Sequence, residues 1–182
     1  MNRFMIVVNP DKDTDSTVTN RIQSYLEAHG AACMVRDVFH LEFSDWEALK
    51  KEQFDCVLVL GGDGTLLRMA GETEDIDIPL FGINLGTVGF LTEGEVANIE
   101  EILDRLLTDD FTIEERMMVT GTVTKADGTT YRKSALNDIV ISRAGFSRLI
   151  GLNVSVDGQV LDTYEADGVV ISTPTGSTGY NL

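Results

Sequence analysis

The stretch Leu60-Gly61-Gly62-Asp63-Gly64-Thr65 decides how this chain folds. Before it runs Cys56-Val57-Leu58-Val59-Leu60, apolar, β-rich and about five residues long, the size of a buried strand. After it, Leu66-Leu67-Arg68-Met69-Ala70 has a helical pattern. The segment therefore reads as strand, glycine turn, helix start. Its three glycines are expected to let the backbone take positive φ and let a ligand come close. Amides at the start of the helix would face outward, where a phosphate is stabilised. Gly61, Gly62, Gly64 and Thr65 thus form a candidate phosphate loop. A carboxylate in the middle of such a loop repels phosphate. Asp63 is therefore a candidate to accept a hydroxyl proton or to hold Mg²⁺; the plainer reading is a tight turn with Asp63 as N-cap.

Working outward, residues 3–8 read as a first strand closed by Asn9-Pro10, with a polar loop from Asp11 to Thr17. Val18, Ile22, Tyr25 and Leu26 have helical spacing within Val18 to His29, and Gly30 is the expected stop. Ala32 to Val38 is the second strand. Ser44 to Glu52 reads as a short helix, with Ser44 as N-cap and Glu47 completing a capping box. Pro79 to Asn84 is a strand that runs into a second glycine turn, Gly86-Thr87-Val88-Gly89-Phe90. Val96 to Leu107 is a periodic helix. Strands alternating with helices imply a mostly parallel sheet covered on both faces. Ligands of such sheets bind beyond the carboxyl ends of the strands, so both glycine turns are expected to share one crevice.

After Asp109-Asp110 helical spacing gives way to strands. Hairpins are predicted around Asp127-Gly128 and Asp157-Gly158, with further strands over Asn137 to Arg143 and Val169 to Thr173. The reading is an α/β domain over 1–110 and an all-β domain over 111–182. The chain stops in the hydroxyl-rich run Thr173-Pro174-Thr175-Gly176-Ser177-Thr178-Gly179-Tyr180-Asn181-Leu182, which closes nothing. The β domain is therefore expected to be incomplete.

Composition narrows the partners. The 182 residues hold 14 Lys+Arg against 30 Asp+Glu, a net charge of −16. That argues against nucleic acid and anionic membranes, while backbone amides or a metal can still bind a phosphorylated small molecule. No apolar run approaches a membrane span, and the opening strand is too short for a signal peptide. Cys33 and Cys56 lie in strand-like runs and read as reduced, buried thiols of a cytoplasmic protein. His29 and His40 read as surface residues. Walker A, Rossmann, zinc and nucleophile-elbow patterns are absent from the sequence. What remains is polar residues at strand ends: Asp63, Asn84, Asn137-Asp138, Asp167 and the 173–181 run.

Taken in order, Gly61-Gly62-Asp63-Gly64-Thr65, Asn84-Leu85-Gly86 with Gly89-Phe90, Leu136-Asn137-Asp138, Asp167-Gly168 and Thr173 to Tyr180 resemble the motifs of NAD kinases. The glycine–aspartate motif is shared with phosphofructokinases and lipid kinases; the later motifs are more specific. The resemblance implies phosphoryl transfer from ATP or polyphosphate to the 2′-hydroxyl of the adenosine ribose of NAD. It implies Asp63 as the base, with Gly64 beside the ligand and Arg68 at the nucleotide site. Asn137 and Asp138 would bind adenine or ribose, Arg148 would add a basic contact, and Asp167 would lie near the nicotinamide amide. Thr175, Thr178, Gly179 and Tyr180 would hold the second nucleoside, with Tyr180 stacking. Pockets between the two domains would house NAD.

Two positions depart from the family pattern. Asp138 stands where Glu is more usual, and Glu165, in the implied NAD-binding set, stands where many members have a basic or neutral residue. The acidic chain reads as lacking a cationic clamp, so Mg²⁺ or another divalent ion is expected to neutralise the donor phosphates. A homodimer or homotetramer is implied, since the β half leaves strand edges to cover. The rival readings are a non-catalytic dinucleotide-binding or regulatory fragment and, with less support, a lipid kinase.

Overall fold

A computed structural model describes residues 1–51, 54–86, 89–145 and 148–180, apart from the side chains of Phe43, Thr178 and Tyr180. The chain divides into two compact units, Met1–Glu115 and Arg116–Leu182. In the first, β1 (Arg3–Val8), β2 (Ala32–Asp37), β3 (Cys56–Gly61), β4 (Leu80–Asn84) and the two-residue β5 (Gly94–Glu95) form a parallel sheet in the order β2-β1-β3-β4-β5. Four helices connect and cover them: α1 (Thr17–Ala28), α2 (Phe43–Lys51), α3 (Asp63–Glu72) and α4 (Ile99–Leu107).

The two-residue period of a strand explains the two-sided core. Phe4 and Ile6 of β1, with Leu58, Leu60 and Ile83, turn to one face and meet Ile22 and Leu26 of α1 and Ile99, Leu103 and Leu106 of α4. Met5 and Val7, with Val57 and Val59, turn to the other and meet Leu49, Leu66 and Met69. Every residue of β3 is buried, as a central parallel strand requires. Burying one such side chain stabilises the fold by about 1.5–3 kcal/mol. Gly30, at φ +84°, ends α1, and the amides of Gly30 and Ala31 return to the carbonyls of Glu27 and Leu26.

Local signals differ from the expectation in four places. α2 starts at Phe43, so Ser44 lies inside it. Asp45, one residue later, does the capping: its carboxylate accepts the Glu42 N–H at 3.0 Å and an ion pair from Arg36. Val96–Asn98 is a 3₁₀ turn ahead of α4 and not part of a continuous α-helix. Cys33 is half-buried, while Cys56 is buried as expected; both thiols are free, and burial pushes Cys33 up to about 11 and Cys56 up to about 12. The run after Thr173 is a turn leading into a single helical turn, α5 (Ser177–Tyr180), rather than an open loop.

The second unit holds three antiparallel ribbons: β6 (Val119–Thr124) with β7 (Thr130–Ala135), β8 (Asp138–Ser142) with β11 (Gly168–Ser172), and β9 (Ile150–Val156) with β10 (Gln159–Ala166). At the β9–β10 turn, Asp157 and Gly158 both have positive φ, 51° and 78°. That is the two-residue turn whose twist matches the flanking strands.

Candidate functional site

The strand order of the first unit places a topological switch between β1 and β3, since the chain leaves β1 toward β2 on one side and returns to β3 on the other. The loops after β1 and β3 face each other there. Gly62, extended at φ −126°, is the N-cap of α3, and Asp63 is its first residue. None of Gly61, Gly62 and Gly64 has a positive φ. Their use is space: a Cβ on Gly61 would lie 2.3 Å from Thr65 Oγ1, and Gly62 and Gly64 face open room. The Gly62 carbonyl accepts the amides of Thr65 at 3.0 Å and Leu66 at 3.2 Å, so Asp63 and Gly64 carry the first amides of α3, which have no partner within the helix.

Asp63 does not cap its own helix. Its carboxylate crosses to the second glycine turn, where Oδ2 accepts the Phe90 N–H at 2.8 Å. Oδ1 accepts the amides of Leu91 at 3.1 Å and Thr92 at 3.2 Å and the Thr92 hydroxyl at 3.3 Å. Gly89 makes room for this, because a Cβ there would lie 2.1 Å from Asp63 Oδ1. Burial raises the Asp63 carboxyl, but these four donors together outweigh it and hold the carboxyl below its ordinary value of 3.8. The two turns are also joined where the Leu85 amide donates to the Gly61 carbonyl at 2.8 Å. Buried Asn84 shapes the second turn by accepting the Gly86 N–H at 2.8 Å. Thr87 and Val88 lie outside the described residues.

Beside this junction lies a cleft of about 290 Å³ lined by Asn9, Lys12, Val38, Phe39, Gly62, Gly64, Thr65 and Arg68. The Arg68 guanidinium sits 5.7 Å from the centre of the Phe39 ring, a cation–π contact that holds it at the rim. Lys12 brings a second cation. The expectation of a chain without a cationic clamp is therefore corrected: the fold gathers two of its few basic residues at one cleft. Sequence reading passed over Asn9, Lys12 and Phe39. The usable signal was their position directly after β1 and β2, at the carboxyl edge of a parallel sheet.

The second unit carries the other candidates in two places. Thr173, buried at the end of β11, donates its N–H to the Asn137 carbonyl at 2.8 Å and its hydroxyl to the Leu136 carbonyl. Gly176 presses on the same point, since a Cβ there would lie 2.3 Å from the Asn137 oxygen. Asp138 pairs with Ser172 across the ribbon, so Asn137, Asp138 and the 173–176 turn, with half-buried Thr175, share one end. Asn137 Oδ1 is buried without a hydrogen-bond partner, the one such side-chain atom among the described residues. Asp167 is at the opposite end of the ribbon, bonded to Arg143 Nε at 2.5 Å. Glu165 on β10 and Arg148 before β9 are exposed. Five residues of strand separate the ends, roughly 17 Å, so within this unit Asp167 and Asn137 do not meet. Gly179 is exposed in α5, and the side chains of Thr178 and Tyr180 lie outside the description.

Fold and site together define a class: an α/β unit with a glycine–aspartate turn at its switch point, followed by an antiparallel β unit. The family model of the ATP-NAD kinase N-terminal domain matches residues 4–111, and that of the ATP-NAD kinase C-terminal domain matches residues 136–182. The chain belongs to the NAD kinase family. It is 44% identical over 186 residues to an NAD kinase of Lachnoclostridium phytofermentans, covering 100% of this chain and 65% of that protein. It is 41% identical over 187 residues to one of Lachnospira eligens, covering 100% and 64%. The chain thus spans a little under two thirds of the length of these relatives. The crystal structure of yeast NADH kinase complexed with NADH superposes with a TM-score of 0.79 at 22% identity, covering 99% of this chain and 60% of that one, a likeness of fold.

Proposed function

We propose that this protein is a phosphotransferase that moves a phosphoryl group from ATP or polyphosphate to the 2′-hydroxyl of the adenosine ribose of NAD, giving NADP. Family membership supports the reaction class, and the observation that carries the reading is the Asp63 carboxylate at the head of α3, beside the open Gly62–Gly64 face. A ribose hydroxyl is a weak nucleophile, and a carboxylate in hydrogen-bond reach takes its proton as the bond to phosphorus forms. Asp63 Oδ1 accepts three hydrogen bonds and Oδ2 one, so Oδ2 keeps an acceptor site at which the ribose hydroxyl can dock and give up its proton.

Asn137, Asp138, Thr175, Thr178, Gly179 and Tyr180 are proposed to bind NAD, with Glu165, Asp167, Arg148 and Arg68 as further contacts. The partnerless Asn137 Oδ1 supports this for the first of them, because a buried acceptor costs about 1–3 kcal/mol until a donor reaches it. Mg²⁺ is proposed to enter as the complex of the donor, screening its phosphates. No helix among the described residues is long and apolar enough to cross a membrane, and a cytoplasmic location is proposed. A homodimer or homotetramer is proposed as well. The exposed Val140, Ile141, Val170 and Ile171 of the β8–β11 ribbon support it. Mixing the protein with NAD and Mg-ATP and reading NADP with an NADP-specific dehydrogenase tests the reaction; no NADP above background would refute it.

A further inference from the structure

We propose that Lys12 is a donor-binding residue, its ammonium seating the polyphosphate chain of the phosphoryl donor in the cleft between the loops that follow β1 and β3. The inference rests on the phosphotransferase reading and assigns a residue that neither motif nor resemblance points to. The cleft is at the switch point of the sheet, and its volume, about 290 Å³, is at the small end of ligand sites. That size suits a short chain of phosphates better than a whole dinucleotide. The lining of the cleft brings Gly62 and Gly64, both with open space around them at the N-terminus of α3, together with Asn9 and Lys12 of the loop after β1.

Lys12 is held there by a built loop. Asn9 fixes it twice, its side chain accepting the Asp11 N–H at 3.0 Å and its carbonyl accepting the Lys12 N–H at 3.0 Å. Asn9 Nδ2 reaches Thr65 Oγ1 at 3.5 Å, tying this loop to α3. The neighbouring Asp13 is buried and turned away, accepting the amides of Val18 and Thr19 and the Thr19 hydroxyl. Lys12 Nζ therefore lies toward the second glycine turn and pairs with neither of its chain neighbours Asp11 and Asp13. It lies 3.9 Å from where a Cβ on Gly86 would stand, next to the second turn as well as the first. Among the described residues no carboxylate forms an ion pair with it. In a chain of net charge −16, a lysine with no acidic partner among the described residues, in a cleft shared with Gly62, Gly64 and Arg68, is a place for polyanion.

The test compares wild type, Lys12→Ala and Lys12→Arg after matching thermal melts confirm folding. Donor and NAD are titrated separately in the NADP assay, and inorganic tripolyphosphate is titrated calorimetrically without NAD. Lys12→Ala is expected to raise the donor KM about tenfold or more, the effect of losing one hydrogen bond to a charged group. NAD KM should stay within about twofold. Tripolyphosphate affinity should fall in parallel, and Lys12→Arg should recover part of both losses. An unchanged donor KM in a wild type that makes NADP would overturn the assignment while leaving the reaction intact. A rise confined to NAD KM would also overturn it, placing Lys12 at the acceptor. Should the wild type make no NADP, the functional reading fails, and tripolyphosphate binding decides Lys12 alone: loss on Lys12→Ala supports the seat, and no binding by wild type refutes it.

Discussion

The two units solve the burial problem in opposite ways. In Met1–Glu115, β1 and β3 are packed on both faces, and Phe4, Met5, Ile6, Val7, Leu58 and Leu60 have no exposed surface. In the second unit, Leu136 is the buried hydrophobic among the described residues, while Val123, Tyr131, Val156, Val160, Leu161, Val170 and Ile171 stand exposed on paired strands. Strands are paired in both, yet among the described residues only the first has a core. Pairing strands fixes register; it does not by itself remove apolar surface from water. The first unit carries the glycine–aspartate turn at the edge of a sheet buried on both faces, and the second consists of ribbons whose apolar faces stand exposed.

The largest effect expected from this contrast is chemical. Asp63→Asn should lower kcat by about 10²–10⁴-fold, the usual loss with a general base. Asn also turns one NH₂ toward the amides it should accept from, so the melting temperature should fall too. Steady-state assays and a melt check both; a near-wild-type rate would remove Asp63 from the base role. Next come two truncations. Leu58→Ala should destabilise the first unit by about 2–5 kcal/mol, whereas Val170→Ala, with 39% of that valine exposed, should cost within about 0.5 kcal/mol. Equal losses in urea titrations would break the comparison.

Gly176→Ala sharpens it from the other side. A methyl group 2.3 Å from the Asn137 carbonyl has to displace backbone, at about 1–3 kcal/mol. The expected readout is weaker NAD binding by calorimetry with the first unit's stability unchanged, because the strain is confined to the β8–β11 end. The smallest effect is the acid limb of the first unit. Burial raises the Asp45 carboxyl, but Arg36 and the Glu42 amide prevail and lower it below 3.8, as the four donors do for Asp63. A folded-state value below the unfolded one gives stability that is full above the ordinary carboxyl range and is lost as pH falls through the depressed value. Melting temperature should therefore drop below about pH 3.8, and Asp45→Asn should flatten that limb while costing about 1 kcal/mol at neutral pH. A pH profile identical to wild type would show that Asp45 carries none of it.

Sequence alone determined the α/β unit, its strand edges, both Asp-Gly hairpins and the glycine–aspartate turn, because each rests on short-range signals: period two, period 3.6, and turn residues with few alternatives. The same local reading misplaced the cap of α2 by preferring Ser44 to Asp45, since the choice depends on Arg36, nine residues away across the unit. Only tertiary structure decided what Asp63 holds, 27 residues away at Phe90, and that Lys12 shares a cleft with Arg68. Periodicity shows which face of an element turns inward. It carries no information on which loops a parallel sheet gathers at one edge, because that follows from strand order, and strand order is settled by how helices pack across both faces.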